Sequence, residues 1–75
     1  MSKLHLISGD QAVKFFEKLG YHVVRQRGSH IRMHHTADPS KQPLSIPRHK
    51  QLGRGLLRKL LRDAGLSLEE FNARL

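Results

Sequence analysis

The chain contains neither cysteine nor tryptophan. Without thiols it can form no disulfide and no thiolate metal site, so nothing covalent or zinc-bound staples the fold. No apolar run approaches the roughly 20 residues that cross a bilayer. The N-terminus lacks the charged, apolar and small-residue succession of an export signal. These absences lead us to expect a soluble, cytoplasmic chain that is not exported. Length is scarce too. The 75 residues are expected to form one domain over 1–75, and so small a domain buries only about 60% of its unfolded surface. A deep pocket for a small organic ligand is therefore not expected. A large polymer lying across the surface is the better fit.

Acidic residues are the next scarcity. The formal net charge is +8, from 14 Lys and Arg against 6 Asp and Glu. Between Glu17 and Asp63 the only acid is Asp38. The same stretch carries Lys18, Arg25, Arg27, Arg32, Lys41, Arg48, Lys50, Arg54, Arg58, Lys59 and Arg62, with five of the six histidines. So many uncompensated cations point to a polyanionic partner. A membrane surface fits less well, because no helical segment pairs a basic face with Trp or several Phe.

Local patterns divide the chain. Ser8, with Gln11 three residues on, reads as a capping box. Ala12, Phe15, Phe16 and Leu19 follow at helical spacing, and Gly20 suits the exit, which predicts a helix over about 9–19. Tyr21 to Gln26 reads as a strand, with a turn at Arg27-Gly28. From His30 to His35 the residues alternate: Ile31 and Met33 point one way, His30, Arg32 and His34 the other. Thr36 to Pro43 is a loop. Leu44 and Ile46 mark a third strand that ends at Pro47. Leu56, Leu57, Leu60, Leu61 and Ala64 form the apolar stripe of a second helix, N-capped at Gly55 and stopped at Gly65. Ser67 with Glu70 opens a short third helix. The order is α-β-β-β-α-α, an α+β arrangement in which helices cover one face of an antiparallel sheet.

The stretches "SGDQAVKFFEKLGY", "VVRQRGSHIRM" and "SIPRHKQLGRGLLRKLLRDAGLS", in that order and spacing, resemble the HicA family of toxins, the mRNA interferases of bacterial and archaeal toxin–antitoxin modules. The resemblance covers nearly the whole chain. It implies a fold like that of a double-stranded-RNA-binding domain, with a three-stranded antiparallel sheet and helices packed on one face. It also implies endoribonuclease activity without the ribosome. A cognate HicB-like acidic antitoxin would inhibit the toxin, and operator DNA would be met only through the antitoxin complex. In the family the catalytic residue is the His of Gly-Ser-His, which is His30 here. One departure is visible: the family usually has Thr after the Gly that opens the second helix, and this chain has Leu56.

RNA carries its own nucleophile. A base removes the 2′-OH proton, the oxygen attacks the adjacent phosphorus and the 5′-oxygen leaves. Histidine suits the proton transfer because it titrates near the working pH. Cations must offset the charge growing on the phosphoryl oxygens. His30 meets the first need, and Arg25, Arg27, Arg32, Arg48 and Lys50 are candidates for the second. Gly28 either makes a turn with positive φ or lets backbone approach phosphate. Ser29 either donates to a phosphate oxygen or begins the strand. His49 is either a second acid, base or phosphate contact, or a loop residue. His34 shares a strand face with His30 and could extend the RNA surface. His5, His22 and His35 are taken as structural or exposed.

No metal or cofactor is expected. Along an extended strand His30 and His34 stand roughly 13 Å apart, too far to share an ion, and no His pair falls at i, i+4 on a predicted helix. Two other readings of the chain compete. A non-catalytic double-stranded-RNA-binding module of the same fold would need phosphate contacts and no His30. A helix-turn-helix around "AGLS" would read DNA, but Leu61 is large for its close helix approach, and Glu69 and Glu70 would face phosphates.

Overall fold

Helix α1, Gly9–Glu17, starts where its caps dictate. The Ser8 hydroxyl accepts from the Gln11 N–H at 3.0 Å, and the Gln11 side chain accepts from the Ser8 N–H at 2.9 Å. The expected capping box is therefore present, and the helix ends two residues earlier than its spacing predicts. The computed structural model describes residues 3–75. After α1 come β1 (Tyr21–Arg27), β2 (His30–His35), β3 (Leu44–Pro47), α2 (Arg54–Asp63) and α3 (Leu68–Arg74). The strands form one antiparallel sheet in the order β1-β2-β3. The fold is α+β, consistent with the double-stranded-RNA-binding-domain arrangement.

The helices cover one face of that sheet. Ile31 and Met33 from β2, with Leu44 and Ile46 from β3, point into a core completed by Ala12, Phe15, Phe16, Leu57, Leu60, Leu61 and Phe71. Edge-to-face contacts chain Phe71 to Phe15, Phe15 to Phe16 and Phe16 to Tyr21, with ring centroids 5.0–5.8 Å apart. Tyr21 is 1% exposed, and its hydroxyl donates to the Gln42 carbonyl at 2.8 Å. That bond ties the long β2–β3 connection to β1. Burial, and then the charges of Asp63 and Asp38, push the Tyr21 phenol above its ordinary pKa.

Two further boundaries differ from expectation. The β1–β2 turn is Gly28-Ser29, with Arg27 still in β1 and paired to His30. Gly28 has φ +56 and among the described residues no non-glycine has positive φ, the sign pattern of a two-residue hairpin with Gly first. A Cβ at Gly28 would meet nothing within 4 Å, so the requirement there is backbone conformation and not space. The second correction concerns α2, whose N-cap is Gly53 and not Gly55. The Gly53 carbonyl already accepts from the Leu57 N–H at 2.9 Å, which places Gly55 inside the first turn.

Gly9 locks α1 to the end of β3. Its N–H donates to the His49 carbonyl at 2.9 Å. A Cβ at Gly9 would collide with the Pro47 carbonyl and lie 2.9 Å from the Arg48 Cα. Because the obstacle is backbone, added bulk there forces a shift that typically costs about 1–3 kcal/mol.

Candidate nucleic-acid interface

The other face of the sheet carries no helix, and its side chains follow from strand parity. With Ile31 and Met33 in the core, His30, Arg32 and His34 point outward. Strand β1 supplies their neighbours: Arg27 pairs with His30, Arg25 with Arg32 and His22 with His34. On the other side Pro47 pairs with His30 and Ser45 with Arg32.

Strand β1 could not present Arg25 and Arg27 this way if it were regular. Both share odd parity with Tyr21, which is buried in the core. An unbroken strand would aim all three the same way. The register shifts between Val23 and Arg25, leaving Val24 as the extra residue of a β-bulge. Past the bulge the parity reverses, and both arginines turn to the open face. Bulges are known to re-aim side chains beside functional sites in this manner.

The result is a shallow concavity of about 540 Å³ lined by Val24, Arg25, Arg27, His30, Arg32, His34 and Ser45. It has no acidic lining residue. Arg25 stands directly across from Arg32, and like charges so placed disfavour the sheet. The ion pairs Arg48–Asp10 and Lys59–Asp63 lie elsewhere. The face thus holds a charge that the fold does not neutralise, beside an exposed imidazole.

Five sequence-identified candidates come together here: Arg25, Arg27, His30, Arg32 and His34. The other five do not line the concavity. Gly28 and Ser29 form the hairpin tip, and the Ser29 carbonyl accepts from the Arg48 N–H at 2.6 Å. The Arg48 guanidinium turns toward α1 and meets Asp10 at 3.0 Å. The hydrogen bonds and charge of Asp10 raise the Arg48 pKa further. His49 and Lys50 are exposed on the segment after β3.

The remaining histidines have other surroundings. His35 Nδ1 accepts from the Asp38 N–H at 3.0 Å, so its Nε2 carries the proton and donates to the Leu19 carbonyl at 2.9 Å. Its ring also packs edge-on to Tyr21. That is a structural role. His5 and His22 are exposed. Among the described residues no three His, Cys, Asp or Glu side chains group to hold a metal ion, and no helix is long and apolar enough to cross a membrane.

Sequence reasoning missed Val24 and Ser45. Ser45 is readable as the outward residue between buried Leu44 and Ile46. Val24 required the bulge, which shows only in the pairing: Tyr21 and Arg27 cannot face opposite sides of a regular strand, and the outward turn of Arg27 is fixed by its pairing with His30.

Neither a curated protein nor a solved structure shows a significant match to this chain. A family model described as the HicA toxin of bacterial toxin–antitoxin systems matches residues 9–66. That span runs from the start of α1 past the end of α2 and includes every residue of the basic face. The chain therefore belongs to the HicA toxin family.

Proposed function

We propose that this toxin is a metal-independent endoribonuclease with His30 as its catalytic residue, and that a HicB-like acidic antitoxin inhibits it by covering the basic sheet face. The observation that carries the reading is the acid-free concavity in which His30 is flanked by Arg25, Arg27 and Arg32. Three guanidiniums can hold the RNA backbone and offset the charge that builds on the attacked phosphoryl group. The imidazole takes the 2′-OH proton, the 2′-oxygen attacks the adjacent phosphorus, and the P–O5′ bond breaks. The departing 5′-oxygen takes a proton from the imidazolium or from water, and the products are a 2′,3′-cyclic phosphate and a 5′-hydroxyl end. His34 extends the RNA track along β2. Gly28, Ser29, His49 and Lys50 serve as outlying phosphate contacts, and Arg48 joins them by exchanging its exposed Asp10 partner for phosphate.

The cleavage assay has two expected results. Activity survives EDTA, because the ligand sets that the sequence offers are too widely spaced for one ion. Binding weakens steeply with salt. Three phosphate contacts to a single strand give a log–log slope of about −2, so a fourfold rise in salt lowers affinity about twentyfold. Loss of cleavage on chelation, restored by one divalent ion, would contradict the metal-free reading. A salt-insensitive affinity would contradict the backbone contacts.

A further inference from the structure

All four aromatic rings of the chain are taken by the core: Phe15, Phe16, Tyr21 and Phe71 are at most 7% exposed. No phenyl or phenol ring is left on which a base can stack, the usual way that proteins hold unpaired nucleotides, and the rings exposed in the concavity are the imidazoles of His30 and His34. One apolar side chain nevertheless stands on the basic face. Val24 is 51% exposed and lines the concavity with Arg25, Arg27 and His30. Its neighbour Val23 is exposed for a different reason. Val23 pairs with Met33 and so lies on the helix side, at the free edge of the sheet. The bulge lifts only Val24 toward the cations.

A surface that held phosphates alone would gain nothing from an isopropyl group among its guanidiniums. A nucleotide, by contrast, presents an anionic phosphate and an apolar base face a few ångströms apart. Ser45, paired across the strands from Arg32, adds a hydroxyl that both donates and accepts. We infer that Val24 and Ser45 seat one unpaired nucleobase of the RNA, next to the phosphate attacked at His30. This inference rests on the nuclease reading above. Val24 covers the base face, and Ser45 bonds to a base edge. An aliphatic contact and a hydroxyl that donates or accepts sort weakly among the four bases. What the seat selects is a base free of its duplex, because a paired base keeps both faces stacked and offers the protein only backbone. The substrate class is therefore single-stranded RNA with little sequence preference at that nucleotide.

The test uses three short RNAs of one sequence: the natural single strand, the same strand with abasic ribonucleotides flanking the cut bond, and the annealed duplex. Wild type is compared with Val24→Ser and Val24→Leu. On the natural strand Val24→Ser should lower kcat/KM about tenfold, the scale of losing one base contact. Most of the loss should lie in KM. Val24→Leu should keep most of the activity, and all three proteins should act alike and weakly on the abasic strand and on the duplex. Equal cleavage of the natural strand by wild type and Val24→Ser would overturn the seat and leave the exposed valine to a protein contact. So would an equal loss on the abasic strand, which would trace the defect to something other than the base. If wild type cuts none of the three RNAs, the nuclease reading falls first and the seat with it, an outcome that needs no variant to recognise.

Discussion

Replacing His30 by alanine should lower RNA cleavage by at least about a hundredfold, the lower end of what a positioned general base contributes. The fold should hardly notice. His30 is exposed on the open face of the sheet and makes no side-chain hydrogen bond to the core. Substitutions at such positions usually change stability by less than about 0.5 kcal/mol. In a domain of this size that moves the thermal transition by no more than about 4 °C. The two readouts together separate the possibilities. A non-catalytic RNA-binding module would keep its affinity for RNA and have no cleavage to lose. A structural histidine would lower the melting temperature along with activity. His35 provides the contrast: its two ring hydrogen bonds and its contact with Tyr21 make it a residue whose loss should be felt in stability. A His30→Ala protein that cuts at the parental rate with an unchanged transition would remove His30 from the mechanism.

Reversing one charge on the same face, Arg27→Glu or Arg32→Glu, should weaken RNA binding and antitoxin binding together. Both ligands are polyanionic on this account, and both need the face around His30. The charge of +8 steers an acidic protein to this toxin at a rate that falls with salt, whereas affinity comes from the contacts at the interface centre. Each substitution removes one phosphate contact, so the salt slope for single-stranded RNA should shrink by about 0.7. In Arg32→Glu the new carboxylate stands across the strands from Arg25 and relieves like-charge crowding, so that variant should fold at least as well as the parent. The measurement is a competition titration on the His30→Ala protein with labelled RNA, in which a covering antitoxin displaces the RNA one for one. Simultaneous binding without mutual displacement would mean that the antitoxin acts from a distance.

Much of this arrangement was legible in the residue pattern, and the exceptions have physical causes. Both capping boxes were readable because Ser8/Gln11 and Ser67/Glu70 are local interactions three residues apart. The outward row of β2 was readable because Ile31 and Met33 leave its parity in no doubt. The α2 cap was displaced by two residues because neither Gly53 nor Gly55 has a side chain to mark the choice. The bulge at Val24 escaped because it is a compromise between two distant demands. Tyr21 must enter the core and reach Gln42, while the Gly28-Ser29 turn pairs Arg27 with His30 on the open face. Neither demand is visible within the six residues that separate them. The pinning of Arg48 by Asp10 was likewise hidden, since the partners are 38 positions apart and meet only once α1 has docked on the end of β3.

The central claim is that His30 activates the RNA's own 2′-hydroxyl without a metal ion. Its most direct test is the cleavage, in EDTA, of a short RNA and of the same RNA with a single 2′-deoxy substitution at the cut site, with the product ends identified by mass spectrometry. The account predicts a 2′,3′-cyclic phosphate and a 5′-hydroxyl from the first and an intact bond in the second. A 5′-phosphate product, or equal cutting at the deoxy position, would show that water and not the 2′-oxygen is the nucleophile, and the mechanism built on His30 would be wrong.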